Sequence, residues 1–224
     1  MLVHVAFTPA EVAAAPVGVV VDVVRATSTI TQALAAGYER VLCCREVAEA
    51  LALRTDDSVT AGERRGAKVP ELDYGVSPQD YTVARARTLV LSTTNGTTAI
   101  VEAASRCDSV LLGSLLNLDA LVRELRENGE DVAIICAGFQ GAFALDDAYC
   151  AGRIVQGLDA TRSDAAIAAE HVARAYPDAW TGLTARTYGP PGLDDDIRFC
   201  AQESVLAVVP RFARMVGPAA EVTL

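Results

Sequence analysis

From its start to about residue 158 the chain alternates continuous apolar runs with stretches in which apolar residues recur at three- and four-residue spacing. Unbroken aliphatic runs mark strands buried on both faces, and the 3.6-residue period marks helices laid across them. The pattern predicts strands near 2–7, 17–23, 40–44, 58–61, 88–92, 108–112 and 131–136, with helices near 28–36, 46–54, 97–105, 117–128 and 145–158. It therefore predicts an α/β fold: a mainly parallel sheet flanked by helices. Gly37 and Gly129 stand where a helix C-terminal glycine belongs. After residue 158 a helical C-terminal portion is expected. Ser163 caps an alanine-rich helix running to Tyr176, and Tyr188-Gly189-Pro190-Pro191-Gly192 breaks the chain. Val205 to Val209 is expected to rejoin the sheet and to stop at Pro210. No fixed-period repeat is present. The 224 residues read as a single α/β domain, with a sub-lobe from about residue 159 as the alternative.

Two segments share one layout. In Val17 to Ile30 and in Leu89 to Ile100, an apolar strand enters a hydroxyl-rich turn and passes straight into a helix. A helix starting there presents free N–H groups and a partial positive charge at the carboxyl end of the sheet, where open α/β sheets bind ligands. The first segment adds a carboxylate, Asp22, and a guanidinium, Arg25. Asp22 lies within a run of valines, so it calls for a cation or hydrogen bonds, and Arg25 is the nearest cation in sequence. Thr27, Ser28 and Thr29 serve equally as phosphate ligands or helix caps. Thr93-Thr94-Asn95-Gly96-Thr97 has the composition of an anion nest. The Gly-x-x-x-x-Gly-Lys pattern of a nucleotide-binding loop is absent, which disfavours a nucleotide-dependent transferase.

Composition narrows the ligand. A net charge of −10 excludes a nucleic-acid backbone as the natural partner, and an anionic substrate needs local compensation. Glu63-Arg64-Arg65-Gly66-Ala67-Lys68 supplies it, with the chain's single lysine, on a long Gly62–Asp80 loop expected to act as a lid. Arg64 is the favoured reader of a second anionic group, while Arg65 and Lys68 are expected at the solvated rim. Asp146 and Asp147, two acids at a helix start, either favour the helix dipole or hold a hard cation with Asp22. Asp194 to Asp196 is expected to be a solvated acidic turn. The six cysteines contain no Cys-x-x-Cys or Cys-x5-Arg pattern and are expected to be inert thiols in a reducing cytoplasm. No apolar run spans a membrane, and His4 and His171 form no metal pair. A homo-oligomer is left open.

Val-Asp-Val-Val-Arg-Ala-Thr-Ser-Thr-Ile (21–30), Gly-Glu-Arg-Arg-Gly (62–66), Tyr-Gly-Val-Ser-Pro (74–78), Thr-Thr-Asn-Gly-Thr (93–97), Cys-Ala-Gly (136–138) and Asp-Ile-Arg-Phe-Cys-Ala (196–201) resemble the 2-phosphosulfolactate phosphatase family, in order and spacing along nearly the whole chain. The resemblance implies an Mg²⁺-dependent phosphatase of coenzyme M biosynthesis that hydrolyses 2-phospho-3-sulfolactate. By position it implies catalytic roles for Asp22, Arg25 and Asp147, and substrate contacts from Thr27, Ser28, Glu63, Arg64, Ser77, Thr93, Thr94, Asn95 and Gly96. Asp22, Asp147 and Asp146 are the implied metal ligands. Whether Asp22 attacks phosphorus or holds the metal stays open. The chain departs from the family pattern at Val76, Thr98, Ala144 and Asp146. Thr98 stands where the family has an arginine, which keeps alive a rival of another class: a small-anion-binding protein without turnover.

Overall fold

The computed structural model describes residues 1–224 apart from Ala13, Arg65 and Pro190. Arg65 of the basic cluster and Pro190 of the expected break thus lie outside the described residues. In chain order the first half forms β1 (Leu2–Ala6), β2 (Ala15–Val21), α1 (Ala26–Ala35), β3 (Arg40–Cys44), α2 (Val47–Ala52), β4 (Ser58–Arg64), β5 (Ala67–Lys68), β6 (Thr88–Ser92) and α3 (Gly96–Ala104). The second half forms β7 (Cys107–Gly113), α4 (Leu118–Asn128), β8 (Val132–Cys136), α5 (Leu145–Gln156), β9 (Thr161–Arg162), α6 (Asp164–Arg174), α7 (Ala179–Thr184), α8 (Asp194–Cys200), β10 (Arg211–Val216) and β11 (Ala219–Thr223). All seven strands predicted before residue 158 are present, so the fold is α/β with a mostly parallel sheet. The caps follow the chemistry read from the chain: Gly129 adopts φ 70° after α4, and the Ser163 hydroxyl accepts from Ala166 N at 3.2 Å.

The strand order is β5-β4-β6-β3-β11-β10-β7-β2-β8-β1-β9. Two parallel blocks, β4-β6-β3 and β7-β2-β8-β1-β9, are joined by the antiparallel hairpin β10–β11. This corrects the expectation for the tail. Val205 to Val209 is not a strand, and Pro210 precedes the returning strand instead of stopping it. A proline lacks only a donor and is tolerated ahead of a strand's first residue, where its carbonyl still accepts from Leu112 N at 2.8 Å.

The Gly62–Asp80 segment is also more ordered than a free lid. β4 runs on to Arg64, β5 folds back on it, and Asp73 binds Thr60 through both backbone and hydroxyl. Pro78 opens a short 3-10 turn as its fixed φ favours.

Helices α1 and α3 share one apolar layer with β2, β3, β6, β7 and β11, built on Ile30, Leu34, Leu89, Leu91, Ile100, Leu112 and Val222. On the opposite face α4 to α8 cover β1, β2, β7 and β8 through Leu121, Leu125, Ile134 and Ile154. Each leucine or isoleucine so buried contributes about 1.5–3 kcal/mol. Helices α5 and α6 approach so closely that a Cβ on Gly152 would fall 2.0 Å from the Ala169 carbonyl oxygen. α5 is thereby fixed, with its first turn at the carboxyl ends of β2 and β8.

Candidate active site

β2 ends at Val21, and the chain turns at once into α1. Asp22 closes that turn on itself: its carbonyl accepts from Thr27 N and Oγ1 at 2.9 Å each, and its Oδ1 accepts from Ala26 N at 3.3 Å. Thr27 is fully buried in this clasp, and Ser28 donates at 2.7 Å to the Val23 carbonyl, also out of solvent. Among the described residues Asp22 Oδ2 has no hydrogen-bond partner, and Asp22 lines an open cleft.

The second predicted turn meets the first, although four strands separate β6 from β2 in the sheet order. A Cβ on Gly96 would stand 2.6 Å from Ala26 Cβ and 2.8 Å from Asp22 Oδ2, so only glycine lets the two helix starts touch. Its N–H groups are not bare. Glu63 Oε1 accepts from Thr94 N at 3.0 Å and Oγ1 at 2.9 Å, its Oε2 accepts from Gly66 N at 2.6 Å, and Thr93 Oγ1 accepts from Thr97 N at 3.3 Å. Carboxylate and hydroxyl groups of the chain itself fill part of the expected anion nest.

β8 supplies the third side, beside β2. Its glycine turn and the start of α5 are locked by Asp147, whose Oδ1 accepts from Val23 N at 2.9 Å and whose Oδ2 accepts from Gly138 N at 3.0 Å. Asp146 faces the cleft in company: Oδ1 accepts from Asp147 N at 3.0 Å and from the Tyr188 hydroxyl, and Oδ2 lies 3.5 Å from Arg186 Nη1.

Four carboxylates (Asp22, Glu63, Asp146, Asp147) and two guanidiniums (Arg25, Arg186) thus line one cleft. The acids pay for their crowding. Burial, with the charges of Asp146 and Glu63, raises Asp22 from its ordinary 3.8 to about 7. Burial raises Asp146, and burial with the neighbouring Asp146 and Asp22 charges raises Asp147 well above the usual range. Among the described residues no three of His, Cys, Asp and Glu form a ready-made metal cage. One or two carboxylates completed by waters and a substrate phosphate is the arrangement suited to Mg²⁺, and the free Oδ2 of Asp22 beside Asp146 fits it.

The cleft therefore gathers the predicted Asp22, Arg25, Glu63, Thr93, Asn95, Asp146 and Asp147. Gly96 touches Asp22, and Thr94 stands beside Glu63 in an adjoining recess. Thr27, Ser28 and Ser77 are not among the cleft's lining residues: the first two are buried with their hydroxyls bonded to the Asp22 and Val23 carbonyls, and the Ser77 hydroxyl donates at 2.5 Å to Asp196. Arg64 does not reach over the cleft, because its guanidinium donates to the Glu63 and Arg45 carbonyls at 2.7 Å each and to Ser92 Oγ at 3.0 Å. Lys68 is exposed and donates to the Asp73 carbonyl at 2.9 Å.

Arg25 does not pair with Asp22. It donates to Asp196 Oδ2 at 2.5 Å and to the Gly66 carbonyl at 2.9 Å, while its charge acts on Asp22 only through space. Asp196 is accordingly buried, not the solvated turn expected, though Asp194 and Asp195 are exposed. Arg186, Tyr188 and Phe139 also line the cleft, with no motif in the sequence to mark them. Tyr188 lay within a stretch read only as a chain break, and the Gly-Pro composition masked it. Cys43, Cys44, Cys136, Cys150 and Cys200 are buried free thiols with burial raising each, as the apolar flanks foretold.

Comparison with known proteins bears on the whole chain. The family description "2-phosphosulpholactate phosphatase" matches residues 4–214. A probable 2-phosphosulfolactate phosphatase of Thermus thermophilus is 41% identical over 98% of this chain and 98% of its own. Proteins of the same description from Pseudothermotoga lettingae and Clostridium novyi are each 36% identical, covering 94% and 87% of this chain and 96% and 88% of theirs.

Proposed function

Because this chain belongs to the 2-phosphosulpholactate phosphatase family, we propose that it is a metal-dependent phosphomonoesterase converting 2-phospho-3-sulfolactate to 3-sulfolactate and phosphate. The charge balance of the cleft carries this reading. Its four carboxylates outnumber its two guanidiniums, and burial and mutual charge raise three of them, so a cation bound among them would both stabilise their ionised forms and offset the charge of an entering polyanion. Mg²⁺ held by Asp22 and Asp146, with Asp147 behind them, would polarise the phosphoryl group and offset charge on the leaving oxygen.

The chain's own groups then divide the work. Arg25, fixed by Asp196 and Gly66, offers its remaining donors to phosphoryl oxygens. Asp22 Oδ2, without a protein partner among the described residues, is left to take the metal or meet the phosphoryl group, and the start of α1 adds its dipole. Asp147 holds the loops after β2 and β8 at a fixed separation through its two backbone hydrogen bonds. The substrate assignment brings with it a role in coenzyme M biosynthesis. A cytoplasmic location is in keeping with six unpaired thiols.

Phosphate release from 2-phospho-3-sulfolactate, measured with Mg²⁺ and after chelation, tests the proposal. Turnover that requires the metal is expected. Binding of the ester without turnover under any divalent cation would assign the cleft to anion binding alone.

A further inference from the structure

Of the two guanidiniums in the cleft, Arg186 has the more donors to spare. It lies between α7 and α8 with its side chain 8% exposed, and its one protein acceptor among the described residues is Asp146 Oδ2, at a long 3.5 Å. A guanidinium carries five N–H donors. Arg25, by contrast, is committed to two acceptors within 2.9 Å.

The Arg186 group is also held in place from its apolar sides. Its carbon lies 5.7 Å from the centre of the Tyr188 ring, which stacks on Phe139 at 4.6 Å and 26°. Its other flank rests on Gly189, where a Cβ would stand 3.3–3.5 Å from the guanidinium atoms. Arg186 lines the same cleft as Asp22, Asp146 and Asp147. A desolvated guanidinium, clamped by an aromatic ring and short of acceptors, is built to receive an oxyanion.

On the phosphomonoesterase reading above, we propose that Arg186 is the specificity-determining residue that binds the second anionic group of the substrate, a carboxylate or sulfonate on the carbon skeleton bearing the phosphate. Arg64, the candidate from sequence, is spent on the Glu63 and Arg45 carbonyls and on Ser92. Phe139 and Tyr188 form the apolar wall against which the short carbon chain lies. A phosphate ester without a second anion leaves the Arg186 donors unmet and is selected against.

Four esters of one skeleton test this: 2-phospho-3-sulfolactate, 2-phospholactate, the 2-phosphate of 2-hydroxypropane-1-sulfonate, and isopropyl phosphate. They carry both anions, the carboxylate, the sulfonate, or neither. The kcat/KM of each is measured with saturating Mg²⁺ for wild type and Arg186→Gln. The preference for an anion-bearing ester over isopropyl phosphate is expected to fall roughly 30–300-fold in the variant, the worth of a bidentate charged contact. The group whose removal no longer matters in the variant is the one Arg186 holds. A loss equal across all four esters, or a raised Mg²⁺ requirement with the preference intact, would assign Arg186 to supporting Asp146 and overturn the inference. Should Arg186→Gln not fold, Arg186→Lys is read in the same way, since it keeps the charge but not the fork, and an unchanged preference again overturns it. If wild type releases phosphate from none of the four, the phosphomonoesterase reading itself fails, a result distinct from any pattern in the variant.

Discussion

Arg25 and Asp196 are 171 residues apart in the chain and 2.5 Å apart in the fold, each with a side chain 10% exposed. Asp196 also accepts from Ser77 Oγ at 2.5 Å and from Gln79 Nε2 at 3.4 Å, while Arg25 donates to the Gly66 carbonyl. The pair thus pins the turn after β2, the β4–β5 hairpin, the 3-10 turn at Pro78 and α8 around one buried charge pair.

Removing one partner strands the other. Asp196→Ala is expected to cost about 3–5 kcal/mol in denaturant unfolding, the usual penalty for a buried charge left alone, and the double variant Arg25→Gln/Asp196→Ala should cost less than the sum of the two singles. Asp196→Asn keeps an acceptor for Ser77 and should be milder in stability, yet raise KM for the phosphate ester because Arg25 is no longer held. A loss below about 1 kcal/mol for Asp196→Ala would show that water, not the pair, satisfies Arg25.

Gly96 brings the two helix starts together. In Gly96→Ala the new methyl must displace Ala26 or the Asp22 carboxylate, at 2.6 and 2.8 Å. Overpacking of this kind costs about 1–3 kcal/mol. Turnover is expected to fall more than tenfold, because the proposed function puts the Asp22 carboxylate at the reacting centre. Full activity in a folded Gly96→Ala protein would mean the contact between the turns is dispensable.

The raised Asp22 value gives a pH test. In the metal-free fold this carboxyl titrates near 7 against an ordinary 3.8, so the native state binds the extra proton between those values and its stability falls as pH rises from about 4 to about 7. Asp22→Asn lacks that penalty. Its melting temperature should match wild type near pH 4, exceed it by several degrees at pH 8, and level off above the folded-state value. Mg²⁺ should reverse the order at pH 8 by binding the ionised carboxylate, and its affinity for wild type should rise with pH through about 7. A pH-independent difference between the two proteins would place Asp22 in ordinary solvent.

The thiols offer a check on mechanism. Five of the six cysteines are buried and Cys107 is half-buried, with burial raising its thiol as well, so iodoacetamide is expected to modify the native protein slowly, at Cys107 alone, and to leave turnover unchanged. Inactivation tracking modification of Cys136 or Cys150 would reopen a thiolate mechanism.

Much of the fold was written in local pattern. The valine run of β2 and the Leu-Val-Leu run of β6 could be read as buried strands because each residue meets an apolar layer on one face or the other. β10 was not legible. Its sequence, Arg-Phe-Ala-Arg-Met-Val, is largely exposed and lacks the apolar alternation of a half-buried strand. The site divides along the same line. Asp22, Asn95 and Asp147 follow strands at the sheet's carboxyl end, which local reading locates. Asp196 and Arg186 reach the cleft through tertiary packing of the C-terminal helices, and no spacing in the sequence reports that. The basic cluster misled because Arg64 finds backbone acceptors on its own strand and at Arg45, a competition visible only in the folded chain.

The proposed function places Asp22 at the reacting centre of a metal-dependent phosphomonoesterase. The most direct measurement is the kcat of Asp22→Asn against wild type for 2-phospho-3-sulfolactate at saturating Mg²⁺, with unfolding followed on the same preparations. A loss of about a thousandfold or more is expected, about 4 kcal/mol of transition-state stabilisation, in a protein at least as stable as wild type without metal. Turnover within about tenfold of wild type in a folded variant would contradict it.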